Sequence, residues 1–226
     1  MTHKVHPIGY RLSIIRDWKS RWLDGKNYPL HAQEDYRIRA YVNKTHKNAG
    51  VESIEIERSA GRLSVIVFTS RPGILIGRGG SGTEEMRRSI AKIVSDVAAD
   101  TRLKGRIVEE RAPEIRIEVR EIRETELYAT LVAQSVAEQL ERRFPFRRVV
   151  KRTLERVMMH KGVYGAKIMV KGRLDGAEMS RTEFVKDGKL PLQTLRADID
   201  FAHVIAQTAY GVIGVKVWLN RGQKLD

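Results

Sequence analysis

An α+β protein built as two domains is what the sequence predicts, on three observations. The first is size: 226 residues, 42% of them apolar, suffice for two cores in domains of about 100 residues each. The second is that residues 33–120 by themselves read helix–strand–strand–helix–loop–helix–strand, a self-contained unit. The third is that the second half opens with two helical stretches and continues with strands, the segregated order of an α+β domain. The boundaries that follow are an N-terminal basic arm at 1–30, a first domain at 31–121 and a second at 122–226.

Residues 1–30 carry scattered apolar positions with no clear period and read as an irregular arm with room for one helical turn. Residues 33–48 read as a short basic helix with Tyr36, Ala40 and Tyr41 on its inner face, stopped at Asn48-Ala49-Gly50. Residues 51–58 alternate, with Ile54 and Ile56 against Glu55 and Glu57. Residues 62–69 alternate too, with Leu63, Val65 and Val67 on one side, and Ser59-Ala60-Gly61 makes the pair a tight hairpin. Pro72-Gly73-Ile74-Leu75-Ile76 is a short apolar turn. After Gly77-Arg78-Gly79-Gly80, Ser81-Gly82-Thr83-Glu84 fits a capping box, in which Ser and Glu satisfy each other's free backbone donors. The helix it opens has Met86, Ile90, Ile93, Val94 and Val97 as its apolar stripe. Residues 114–119 form a third strand with Ile115, Ile117 and Val119 on one face.

In the second half, residues 127–142 place Leu127, Leu131, Val132, Val136 and Leu140 on one side of a helix. Pro145 suits the first position of the next, which runs to about Met159. Strands follow at 166–171, around 190–201 and at 212–219. Lys186-Asp187-Gly188 marks a turn that makes 181–192 a hairpin. Residues 202–210 fit a strand extension and a short helix equally well. No fixed-period repeat or low-complexity tract is visible.

Charge narrows the class of partner. Lys and Arg total 42 against 28 Asp and Glu, a formal net charge of +14, which implies an anionic partner such as nucleic acid, an acidic protein or a membrane surface. Residues 142–173 contain 11 Lys/Arg and a single acid, Glu155, and the first 47 residues contain 10 Lys/Arg and four acids. Two basic zones flanking a balanced one suggest two contact areas. No run of about 18 apolar residues is present, and the first ten residues lack the apolar core of a secretory signal. The absence of cysteine excludes disulfides, thiol catalysis and Cys-based zinc sites and is compatible with a reducing cytoplasm.

The segment Gly77-Arg78-Gly79-Gly80 has three readings. Gly77, Gly79 and Gly82 satisfy a G-x-G-x-x-G dinucleotide fingerprint, but that motif must follow a strand directly, and Pro72 to Ile76 intervene. A helix–turn–helix corner needing glycine for positive φ is the second. The third is the Gly-x-x-Gly loop of a KH domain, which joins two helices and presses its backbone against a single-stranded sugar–phosphate chain. The order of surrounding elements resembles the type II KH fold, making 31–121 an RNA-binding domain.

The second basic zone contains an unusual helix. On a wheel of about 100° per residue, Arg147, Lys151, Arg148, Arg152 and Arg156 fill one half, while Phe146, Val149, Val150, Leu154 and Val157 fill the other. Exposed helices usually mix signs to gain i,i+4 pairs, and here only Glu155 offsets five cations. A polyanion that neutralises Arg147, Arg148 and Lys151 fits this pattern better than solvent does.

Several long motifs, in order, resemble the S-three family of small-subunit ribosomal proteins in its bacterial form. They are Lys4-Val5-His6-Pro7-Ile8-Gly9-Tyr10-Arg11-Leu12, the 71–80 loop segment, Gly172-Arg173-Leu174-Asp175-Gly176-Ala177-Glu178-Met179-Ser180-Arg181-Thr182-Glu183, residues 191–200 and residues 211–218. The resemblance implies an N-terminal type II KH domain and a C-terminal domain of two helices on a mainly antiparallel sheet. It implies a non-enzymatic constituent of the small-subunit head, in the cytoplasmic ribosome. Its partners would be small-subunit rRNA, mRNA and neighbouring ribosomal proteins, with no cofactor, metal, membrane or homo-oligomer. Carried over by motif, Arg147, Arg148 and Lys151 line the mRNA entry channel and help keep message single-stranded without nucleotide hydrolysis. Gly77, Arg78, Gly79 and Gly80 form the KH loop. Lys4, His6, Arg11, Arg16, Arg21, Arg142, Arg143, Arg152, Arg156, Arg173 and Arg181 are the residues expected to meet rRNA.

The remaining candidates have two readings each. Trp18 and Trp22 either stack on bases or anchor the arm to a core. Arg173, Glu178 and Arg181 either form an internal network or touch RNA or a protein neighbour, with Glu178 pairing an arginine. The acids Glu109, Glu110, Glu114, Glu118 and Glu121 make a solvated or protein-facing surface. A KH protein acting outside the ribosome is the competing function. A nuclease or lyase is the other, but the sequence has no H-E-x-x-H, thiol or nucleophile–base pair to support it.

Overall fold

A computed structural model describes residues 5–59, 61–99 and 113–224. They divide into two compact units. One is Trp18–Arg123, and the other joins the chain up to Asp17 with Glu124–Asp226. The arm is therefore shared between the units. Lys4, Glu109 and Glu110 lie outside the described residues.

The unit Trp18–Arg123 has the order β1 (Ser20–Arg21), α1 (Tyr28–Thr45), β2 (Val51–Ser59), β3 (Arg62–Thr69), α2 (Pro72–Ile76), α3 (Ser81–Ala98) and β4 (Glu114–Glu121). Its sheet runs β1-β2-β3-β4. β2 and β3 are antiparallel, and β1 and β4 are parallel to their neighbours. The alternation in β2 and β3 turns Ile54, Ile56, Leu63, Val65 and Val67 onto Ile38 and Val42 of α1, Leu75 of α2, and Met86 and Ile90 of α3. Burial of each such side chain contributes about 1.5–3 kcal/mol.

Three local expectations are corrected. The strand β1 was not visible in the arm, since two residues carry no period. The helix α1 begins at Tyr28, with Pro29 in its first turn. Its inner face is Leu30, Glu34, Asp35, Ile38 and Val42, while Tyr36 and Ala40 are exposed and Tyr41 is half-buried. Two acids face inward because Arg58 of β2 meets them there, at 2.6 Å from Glu34 and 2.6 Å from Asp35. The Ser81 capping box does not form. Gly80, at φ 82°, takes the N-cap position, and Ser81 is already helical.

The other unit has α4 (Ala129–Glu141), α5 (Phe146–Met158), β5 (Gly165–Gly172), β6 (Arg181–Gly188), β7 (Ala197–Thr208) and β8 (Gly211–Gln223). All pairings in its sheet, β6-β5-β8-β7, are antiparallel. Val132, Val136 and Leu140 of α4 and Phe146, Val150 and Leu154 of α5 share a core with Ile168, Val170, Ile213, Val215 and Val217. Residues 202–208 extend a strand. The expected hairpin turn at Lys186-Asp187-Gly188 is instead the end of β6, whose partner is β5, with Gly172 opposite Arg181. Pro145 is the N-cap of α5 rather than its first helical residue.

Candidate nucleic-acid interface

The Gly-rich loop is held as a rigid corner. Gly77, Gly79 and Gly80 all have positive φ, at 67°, 58° and 82°, where a side chain would be strained. The Gly77 N–H donates to the Gly73 carbonyl and closes α2. A Cβ on Gly79 would meet nothing within 4 Å, so its backbone is open to a ligand's close approach. Arg78 is exposed beside it. Gly82, which the sequence placed only in a fingerprint and a capping segment, is what lets the two helices meet. A Cβ there would sit 2.4 Å from the Leu75 carbonyl oxygen. Exposed Ile74 and Ile76 flank the loop, giving apolar surface next to backbone and cation.

The helix α5 divides as its wheel predicts. Phe146, Val149, Val150, Thr153, Leu154 and Val157 are buried, and Arg147, Arg148, Lys151, Arg152 and Arg156 are exposed. Among the described residues none of these five cations forms an ion pair, and the first turn of α5 holds no acid. Arg148, Lys151, Arg152 and Glu155 line a shallow depression. The Arg147 guanidinium lies 5.7 Å and that of Arg181 5.6 Å from the centre of the Phe146 ring. β6 thus contributes a further cation to the end of this face. Arg142 and Arg143 are exposed where α4 ends. Five cations share this face with one acid, Glu155, and none of them is ion-paired among the described residues, so a net positive charge is left to grip a phosphate chain.

The arm arginines are placed differently. Arg11, expected to meet rRNA, is fully buried. Its Nε donates to the Ala197 carbonyl, Nη1 to Pro7, and Nη2 to Leu192 and Thr194, all within 3.0 Å. Burial holds its pKa below the usual arginine value. This corrects the assignment: the guanidinium fastens the arm to the 191–197 loop and is sealed from any RNA outside. Arg16 is paired with Asp198 at 3.0 Å and Asp200 at 3.3 Å. Arg21 is paired with Glu57 at 3.0 Å and Glu55 at 3.4 Å. His6 is exposed, with its ring edge-on to Phe201 at 4.9 Å.

Asp200 was a structural residue that sequence reasoning missed. It is buried, accepts the Ala129 N–H at the start of α4, and meets Arg221 at 2.7 Å. Trp22 is an anchor: its Nε1–H donates to Asp35, and its ring packs 5.3 Å from those of Tyr28 and His31. Trp18 is exposed. Arg173 donates to the carbonyls of Ala177 and Tyr210, so it braces its own turn, whereas Arg181 turns to Phe146. Glu178 is exposed and, against expectation, pairs with no arginine among the described residues.

Comparison with known proteins fits both regions. Residues 37–127 match the model of the KH domain, and residues 136–219 match that of ribosomal protein S3, C-terminal domain. The small ribosomal subunit protein uS3 of Nitratidesulfovibrio vulgaris is 48% identical over 226 residues, 100% of this chain and 98% of that protein. The protein of the same name from Synechocystis is 45% identical over 99% of this chain and 87% of its own length. That from Caldicellulosiruptor saccharolyticus is 45% identical over 100% and 94%.

Proposed function

The chain belongs to the small ribosomal subunit protein uS3 family, and from that membership we propose that it is a fixed part of the small-subunit head whose α5 face lines the mRNA entry channel. The family is structural, not enzymatic. Its KH domain implies RNA binding, and small-subunit rRNA and neighbouring ribosomal proteins are the partners that hold the chain in the ribosome of the cytoplasm.

The observation that carries the entry-channel reading is the outer face of α5. It has five exposed cations and no ion pair among the described residues, on a helix whose inner face is locked into a core. Arg147, Arg148 and Lys151 grip the phosphates of one strand and thereby disfavour its re-pairing, a purely electrostatic action that needs no hydrolysis. The Gly77–Gly80 loop contacts a second stretch of RNA through its backbone. Arg142, Arg143, Arg152, Arg156, Arg181 and His6 extend the rRNA-facing surface, with Arg16, Arg21 and Arg173 contributing only at their exposed edges.

The test is to assemble small subunits carrying Arg147→Ala, Arg148→Ala and Lys151→Ala and to time translation through an mRNA hairpin. Subunits that assemble but slow at the hairpin are the expected result. Failure to assemble would move the face to rRNA, and normal timing would end the reading.

A further inference from the structure

Between the two helices of the C-terminal unit lies a short corner, and two of its residues break local rules at once. Arg143 has φ 61°, the left-handed conformation that helix ends normally give to glycine. Phe144 is 52% exposed, although a ring of that size usually goes inside. Nothing about the corner is loose. The Phe144 N–H donates to the Gln139 carbonyl at 3.1 Å and the Arg143 N–H to Leu140 at 3.0 Å. Pro145 then holds φ at −57° before α5 begins. The backbone is thus hydrogen-bonded on one side and ring-locked on the other, and it presents Phe144 outward. Departures of this kind persist where a function uses them.

The position of the ring suggests the use. Phe144 stands three and four residues before Arg147 and Arg148, immediately after the exposed Arg142 and Arg143. An aromatic face set among unpaired cations is the arrangement that holds single-stranded nucleic acid, with phosphates on the cations and a base on the ring. We propose that Phe144 is a base-stacking subsite: an unpaired nucleobase of the RNA strand held by Arg147, Arg148 and Lys151 lies on its ring. This rests on the reading of α5 given above and adds to it a grip on the base. A strand held only by its phosphates can still turn its bases to pair; one whose base is stacked on a fixed ring cannot.

Stacking and phosphate contact differ in what they depend on. The full chain, with its Gly-rich loop blocked by Gly79→Asp, would be titrated with a single-stranded oligouridylate of about 12 nucleotides. An abasic oligomer of the same length would be the second probe. Phe144→Ala should weaken the oligouridylate roughly 5- to 100-fold, leave the abasic oligomer unchanged, and leave the salt dependence of both unaltered. Phe144→Trp should restore binding. Replacing Arg147, Arg148 and Lys151 with Ala should weaken both oligomers and flatten the salt dependence. If that triple variant weakens both while Phe144→Ala weakens neither, the stacking subsite is wrong and the cationic face stands. If Phe144→Ala weakens both equally, the ring merely supports the corner and the subsite is again wrong. If the triple variant weakens neither, the reading of α5 falls and the subsite falls with it.

Discussion

Arg11 and Arg16 in the arm and Arg147 and Arg148 on α5 carry the same charge, and both pairs sit in basic zones of the sequence. Their surroundings separate them. Arg11 gives its donors to backbone carbonyls of the 191–197 loop and to Pro7, and Arg16 meets two aspartates. Arg147 lies over an aromatic ring, and Arg148 is open to solvent. A count of charges treats the two pairs alike. What makes an arginine available to RNA is the absence of a protein acceptor within reach, and that is a property of the fold.

The sharpest test of this contrast is Arg11→Met. It leaves the buried Ala197 carbonyl without its donor, at about 1–3 kcal/mol, and the half-buried carbonyls of Pro7, Leu192 and Thr194 without theirs, so stability should fall by about 2 kcal/mol or more, read as an earlier urea transition of the full chain. Full stability in that variant would break the comparison. The matched change on α5, Arg147→Ala with Arg148→Ala and Lys151→Ala, should move stability by less than about 0.5 kcal/mol. It should instead lower RNA affinity, with the slope of log affinity against log salt falling by about 0.7 for each lost contact to a single strand.

Gly82→Ala probes the other contact region. Its Cβ would meet the Leu75 carbonyl at 2.4 Å, so α2 and α3 must part, at a cost of about 1–3 kcal/mol. RNA binding by the Gly-rich loop should fall with it, measured on a chain whose Arg147, Arg148 and Lys151 are replaced by Ala.

The smallest effect concerns pH. Burial holds His46 below its ordinary pKa, with Glu85 partly opposing. Its contribution is therefore complete above about pH 6.5 and is lost as the pH falls below that value. His46→Gln should soften the drop in urea midpoint between about pH 7 and 5.5, and an unchanged drop would assign it to other groups.

The periodic elements were legible from local pattern. β2, β3, α3 and α5 follow apolar periods that any chain must satisfy when one face is buried. The cationic half of α5 was legible for the same reason, because the wheel that hides Phe146 and Leu154 exposes Arg147, Arg148 and Lys151. The Gly-rich corner was marked by its composition, since only glycine takes three positive φ values in four residues cheaply. The inner face of α1 was not legible. Glu34 and Asp35 are buried because Arg58, 23 residues beyond Asp35, reaches both, and Trp22 also donates to Asp35. The same limit applied to Arg11, whose acceptors other than Pro7 lie about 180 residues further on. Local sequence decides which residues share a face, because backbone geometry sets that spacing. Which charges remain for a partner depends on acceptors brought close from distant parts of the chain, so it was decided only when the chain folded.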